Sequence, residues 1–198
     1  MSTALLLSGG MDSVAIAWWR RPEIAVTIDY GQRAAAAEVR AAAAVCAELG
    51  IEHLVQRVDL AALGSGDMAG RPRLAEAPVP EWWPFRNQML VTLAAMAVIP
   101  RGARRLLIGC LATDGAHADG RAAFVEAMDG LLAMQEGGMR LEAPAIGLTA
   151  VELIRASGVP PETLAWAHSC HVAEHACGMC RGCQKHYETL EALGHAPY

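Results

Sequence analysis

Short apolar runs alternate with longer stretches of helical spacing along the chain. Leu5-Leu6-Leu7 reads as a buried strand that stops at Ser8-Gly9-Gly10, and Met11 to Trp19 follows as a helix. Pro22 closes that helix, and Ile24 to Ile28 is a second strand. Arg33 to Leu49 is an alanine-rich helix that Gly50 ends, and His53 to Val58 is a third strand. Gly and Pro break up Leu63 to Trp83, which is expected to be a loop. Asn87 to Ile99 has the spacing of a helix, Arg105 to Gly109 of a strand, and Ala122 to Gln135 of another helix. Leu141 to Pro144 reads as a last short strand and Ala150 to Ser157 as a helix, before a tail from Ser169 dense in Cys and His.

This alternation predicts an α/β fold, a Rossmann-like parallel sheet covered on both faces. Ligands of such sheets sit beyond the carboxyl ends of the strands, where the first glycine turn lies. The chain has 198 residues, of which 54% are hydrophobic, so one well-filled domain with at most a small appendage is expected. The division read from the sequence is residues 1–165 as the sheet domain and 166–198 as a C-terminal segment dense in Cys and His.

The formal net charge of −5 argues against broad nucleic-acid binding, which requires clustered Lys and Arg. No apolar run is long enough to span a membrane, and the first residues lack a positive n-region. A cytoplasmic protein is therefore expected. In that reducing compartment the six cysteines need an explanation other than disulfides.

Ser8-Gly9-Gly10-Met11-Asp12-Ser13 carries the sharpest chemical signal. Two glycines let the backbone approach an anion and turn consecutive amides toward it, and the following helix offers its positive end. Ser8 and Ser13 add hydroxyl donors. Asp12 would repel a bare phosphate, which points to Mg²⁺ or to a role in the turn. Two glycines alone would equally suit an ordinary strand-to-helix turn capped by Ser or Asp. The lysine-containing phosphate loop is absent, since Gly-Lys-Ser/Thr occurs nowhere in the sequence.

Cys170, Cys177, Cys180 and Cys183 are spaced C-x6-C-x2-C-x2-C, close enough to converge on one Zn²⁺. An iron–sulfur cluster would also accept four cysteines, and a C-x-x-C redox pair would leave two unexplained. His168, His171 and His175 crowd the segment; they are expected outside the ligand set, although one could replace a thiolate. The metal would staple a segment without a core of its own. Cys46 and Cys110 read as buried core thiols.

The hexapeptide resembles the signature of the PP-loop ATP pyrophosphatases. Together with the cysteines, the chain from Leu5 to about Cys183 is similar to the 7-cyano-7-deazaguanine synthases, the QueC family. Four further stretches carry that resemblance: Asp29-Tyr30-Gly31-Gln32-Arg33, Arg86-Asn87, Gly109 to Asp114, and Asp119-Gly120-Arg121 followed by Phe124. It implies an ATP-dependent carbon–nitrogen ligase that turns 7-carboxy-7-deazaguanine and ammonia, through an amide, into a nitrile in the queuosine precursor pathway, with ATP, Mg²⁺ and Zn²⁺ and often as a homodimer. On this reading Ser8, Gly9, Gly10, Met11, Asp12 and Ser13 hold phosphates, and Thr27, Asp29 and Tyr30 meet adenine and ribose. Arg86 and Arg121 pair with the substrate carboxylate or α-phosphate. Asn87, Thr113, Asp114 and Asp119 face the substrate, the two aspartates accepting from a guanine-like N–H edge. Asp12, Arg86 and Arg121 are the catalytic candidates.

The chain also departs from the family pattern. Ala150 stands where the family has a lysine directed at phosphates, Phe85 where it has the glycine of G-R-N, and Gly120 where it has the cysteine of D-C-R. No lysine precedes Lys185, so Arg155 or Arg121 is the expected substitute. These changes keep three other readings open. One is a relative that stops at an amide, formed with an amine of a partner protein in a bacterial defence system. The others are a catalytically weak nucleotide-binding module and a sulfur transferase acting on tRNA, the last disfavoured by the acidic charge.

Overall fold

The computed structural model describes residues 2–196. Five strands, β1 Ser2–Leu6, β2 Ile24–Asp29, β3 Glu52–Arg57, β4 Ala103–Leu107 and β5 Arg140–Glu142, form one sheet in the order β3-β2-β1-β4-β5. All four pairings are parallel, as the alternation predicts. The strands begin or end within a few residues of their expected limits. The β4 run stops at Leu107, leaving Gly109 in the turn beyond it.

Side chains alternate across the sheet because successive Cβ atoms point to opposite faces. Leu5, Ala25 and Leu107 join one buried cluster with helices α1 Met11–Arg20, α2 Ala35–Leu49 and α6 Ala150–Ser157. Ala4, Ile24, Val26, Ile28 and Leu106 join the other, against α4 Arg86–Val98 and α5 Ala122–Ala133. Alanines on α1 and α2 let helix and sheet approach closely.

The expected loop at Leu63 to Trp83 contains a single helical turn, α3 Gly66–Ala69. The C-terminal part adds two helices that the hydrophobic pattern does not announce, α7 Pro161–Leu164 and α8 Arg181–Ala192. Leu164, Ala167 and Leu190 all belong to the α1–α2–α6 cluster, so residues after 165 share the core of the sheet domain.

The strand order places β1 between β2 and β4, with connections leaving in opposite directions on either side. The loops after β1 and β4 therefore part from each other and leave a crevice at the carboxyl ends. No helix among the described residues is long and apolar enough to cross a membrane.

Leu153 is fully buried between α6 and the sheet cluster. Leu153→Ala is expected to cost about 2–5 kcal/mol in urea unfolding, whereas Met134→Ala, at an exposed position, should stay within about 0.5 kcal/mol.

Candidate active site

The loop after β1 enters α1 with Gly9 at φ +77°. A Cβ there would lie 2.6 Å from the carbonyl oxygen of Glu38 on α2, so neither backbone conformation nor space admits a side chain. Gly10 is the N-cap of α1 and no side chain caps the helix, which leaves the first-turn amides facing the crevice. Ser8 and Ser13 lie with their hydroxyls 3.1 Å apart, and Ser13 also donates to the Gly10 carbonyl at 2.9 Å. The amide of His168 donates to the Gly9 carbonyl at 2.8 Å, tying the C-terminal segment to the loop.

A cavity of about 780 Å³ opens here, lined by Ser8, Gly10, Met11, Asp12 and Ser13 and, across from them, Tyr30, Arg86, Asn87, Thr113 and Asp114. Tyr30 packs edge-on to Trp83, ring centroids 5.0 Å apart, and burial pushes its phenol well above the usual range. Arg86 donates to the sulfur of Met68 at 2.8 Å and to Asn87 at 3.4 Å, and it forms no ion pair among the described residues. A thioether is a weak acceptor, so this guanidinium retains capacity for an anion.

Other expected residues stand outside the cavity lining. Thr27 is buried, donating to the Leu7 carbonyl at 2.8 Å and lying 2.8 Å from His53 Nε2, so it knits β1, β2 and β3 together. Asp29 accepts from the Gly31 amide at 3.2 Å. Asp119 accepts from the Asn87 backbone amide at 3.2 Å, while the Asn87 side chain donates to the Asp119 carbonyl. Arg121 donates to the Gly115 carbonyl at 3.0 Å, bracing the loop that carries Thr113 and Asp114.

The two arginines expected to replace the missing lysine do not reach the cradle. Arg155 points to the Ala192 carbonyl, and Arg121 is engaged as described. Lys185 arrives instead, 173 residues along the chain from Asp12, with its Nζ 2.8 Å from Asp12 Oδ2. Burial pushes the Asp12 carboxyl up, and Lys185 opposes that rise without cancelling it. Burial pulls the Lys185 ammonium down, but Asp12 and Asp114 more than reverse this and hold it above the ordinary lysine range. Ala150 lines the cavity too.

Two cavity carboxylates carried no signal in the sequence. Desolvation pushes Glu38 up to about 7, although Gln32 donates to it at 2.7 Å. Glu81 is buried; its Oε1 pairs with Arg181 at 2.9 Å and lies 3.7 Å from His117, whereas Oε2 has no hydrogen-bond partner. Burial alone would raise Glu81, and His117, its own backbone and Arg181 outweigh it, leaving it lowered.

The four cysteines converge as their spacing predicts, with all Sγ atoms within 4.8 Å of one another. Cys177 to Cys183 is 3.9 Å and Cys170 to Cys180 is 4.0 Å. A tetrahedral Zn²⁺ with bonds of about 2.3 Å requires edges of about 3.8 Å, so the set fits a single ion. Backbone amides of Met179 and Cys180 hold the Cys177 thiol down to about 6. No histidine joins this ligand group: His168 Nε2 lies 3.0 Å from the Ala173 carbonyl, and burial drives His171 down to about 4. Cys46 and Cys110 are buried, and desolvation raises them to about 11 and about 12.

A parallel sheet with an uncapped glycine loop at its switch point and a cluster of four cysteines beside it defines a protein of the PP-loop fold. The U34-tRNA thiolase NcsA from Methanococcus maripaludis, solved with its [4Fe-4S] cluster, shares the fold at a TM-score of 0.55 and 16% identity over 98% of this chain and 66% of that one. The family model described as "Queuosine biosynthesis protein QueC" matches residues 2–194, and the chain belongs to that family. It is 36% identical to the 7-cyano-7-deazaguanine synthase of Azotobacter vinelandii, covering 97% of this chain and 92% of the relative. The synthase of Thiobacillus denitrificans is 35% identical, covering 96% and 93%, and that of Methanosarcina barkeri 29%, covering 98% and 95%.

Two measurements test this geometry. Gly9→Ala should abolish ATP binding in calorimetry, because the loop must move off α2 to admit the methyl. For Glu38, a raised native value means stability is full below about 4.5 and is lost as pH rises toward 7. Glu38→Gln should flatten that decline, gaining on the order of 1 kcal/mol over the native chain at pH 8 in denaturant titrations at pH 5 and 8.

Proposed function

We propose that the chain uses ATP to activate the carboxylate of 7-carboxy-7-deazaguanine and aminates it with ammonia, through the amide, to 7-cyano-7-deazaguanine. The supporting observation is that uncapped amides of the Gly10–Ser13 turn and the unpaired guanidinium of Arg86 line one cavity. Two anion-seeking groups across a shared space suit a nucleotide on one side and an acid on the other.

In the first half, a carboxylate oxygen attacks the α-phosphorus and pyrophosphate leaves. Ser8, Gly9, Gly10, Met11 and Ser13 would hold the departing β- and γ-phosphates through amides and hydroxyls. Asp12 would hold Mg²⁺, whose hard charge suits carboxylate and phosphate oxygens and neutralises the leaving group. Arg86 would orient the carboxylate bidentately against the α-phosphate. Ammonia then adds to the acyl carbon, loses a proton, and expels AMP with the former carboxylate oxygen. In the second half the amide oxygen is adenylated by another ATP. Loss of the remaining nitrogen protons and of AMP leaves the nitrile.

Tyr30 would bound the nucleotide, and Thr113 and Asp114 would meet the deazaguanine edge. The contacts of Thr27, Asp29, Asn87, Asp119 and Arg121 favour positioning roles, holding the strand ends and loops that present those residues. The cysteines would hold a structural Zn²⁺. Their spacing favours one ion over an iron–sulfur cluster, which divides the thiolates among two or more irons and so spreads them further apart. A second copy would pack on the exposed Met96 of α4, Leu131 of α5 and Met134 just beyond α5 in a homodimer.

Phe85 favours a second reading. It is 77% exposed, adopts the left-handed conformation at φ +55° that the family's glycine would take, and directly precedes Arg86. An exposed aromatic next to the substrate arginine would suit an amine presented by a partner protein, with the reaction stopping at the amide.

Mass spectrometry of products from the acid, ATP, Mg²⁺ and ammonium separates these outcomes, since nitrile and amide differ by one water. Nitrile is the expected product; amide alone would support the second reading, and no AMP release with this acid would sink both. Arg86→Ala should lower kcat/KM by about 10²–10³-fold. Elemental analysis should find zinc in the purified chain, and its removal should lower the melting temperature.

A further inference from the structure

Lys185 is the only lysine among the 16 Lys and Arg residues, and it lines the active-site cavity. Its Nζ lies 2.8 Å from Asp12 and 3.5 Å from Asp114, so it bridges the start of α1 and the loop after β4. Asp12 is in the first turn of α1, which sets the ammonium beside the uncapped amides. Lys185 stands on α8, two residues beyond Cys183, and the Cys180 thiol caps that helix by accepting from the Cys183 amide. The cysteine cluster thus fixes the start of the helix that delivers the charge.

An ammonium and a guanidinium do different work. Guanidinium is a planar fork matched to one carboxylate or phosphate, whereas ammonium is a compact charge with three rotatable donors on a flexible stem. The latter suits oxygens arriving from several directions, as on adjacent phosphates. The two carboxylates now holding Lys185 would themselves be drawn to a divalent cation, leaving its donors for phosphate.

We propose that Lys185 is the cation that contacts the β- and γ-phosphates of ATP, supplied to the cradle by the C-terminal helix α8. This rests on the ATP-using reading of the site above. The rival role is a structural ion pair that only neutralises Asp12.

Calorimetry with ATP–Mg²⁺ and, separately, with AMP distinguishes the two roles in the native chain, Lys185→Met and Lys185→Arg. The expected result for Lys185→Met is a loss of ATP affinity on the order of 10- to 100-fold with AMP affinity within about twofold. Zinc content should be unchanged, and Lys185→Arg should recover part of the loss. Unchanged ATP affinity, or equal loss for ATP and AMP, overturns the proposal while leaving ATP use intact. Failure of the native chain to bind ATP overturns both. A second measurement does not depend on the variant folding. An acyl-phosphate derivative of ATP transfers its acyl carbon to a nearby amine and releases the nucleotide. Lys185 should be acylated in the native chain and protected by excess ATP; a chain that binds ATP yet leaves Lys185 unmodified contradicts the assignment.

Discussion

At Gly9 the backbone must leave the sheet, turn with positive φ, and pass within contact of the Glu38 carbonyl before α1 begins. That close approach sets α1 against α2 and brings both onto the face of the sheet that holds Leu5, Ala25 and Leu107. It also aims the uncapped end of α1 at the crevice between the β1 and β4 loops. Helix packing and the exposure of the first-turn amides therefore meet in one turn, and a displacement of either disturbs the other.

Electrostatic arrangement around that turn follows from the same economy. Asp12 is drawn into the wall of the cavity, where desolvation works against its charge, and Lys185 answers from the far end of the sequence. Across the space Arg86 bonds a thioether, an amide and the Tyr30 phenol and forms no ion pair among the described residues. Glu81 leaves one buried oxygen without a partner while its other oxygen binds Arg181. Incomplete pairing of buried polar groups is costly in a finished fold, and its concentration in one cavity marks where a polar ligand completes the set.

The sheet, its parallel sense and the helices of both faces were legible because each strand is a short apolar run bounded by turn residues. The hexapeptide and the cysteine spacing were legible because their chemistry is local. Helix α8 was not, since its face toward the core is narrow, Leu190 being its one large buried hydrocarbon, and its start is set by thiols. Arg121 and Arg155, the expected substitutes for the absent lysine, lie outside the cavity lining and Lys185 lies in it, because proximity in sequence does not report the reach of a helix that folds back over the strand ends. Glu81 sits in a Gly- and Pro-rich stretch where no periodicity signals burial. Asn87 and Asp119 are expected from the sequence to face substrate, and their mutual bonds emerge only when the start of α4 meets a loop 32 residues further on.

The bridge from Asp12 to Lys185 spans nearly the whole polypeptide, and so ties the formation of the cradle to contacts with the greatest loop-closure cost. Partly folded chains with the sheet in place but α8 undocked would lack the complete binding surface. A ligand that needs the complete cavity would therefore stabilise, by mass action, only the molecules whose C-terminal helix has already docked.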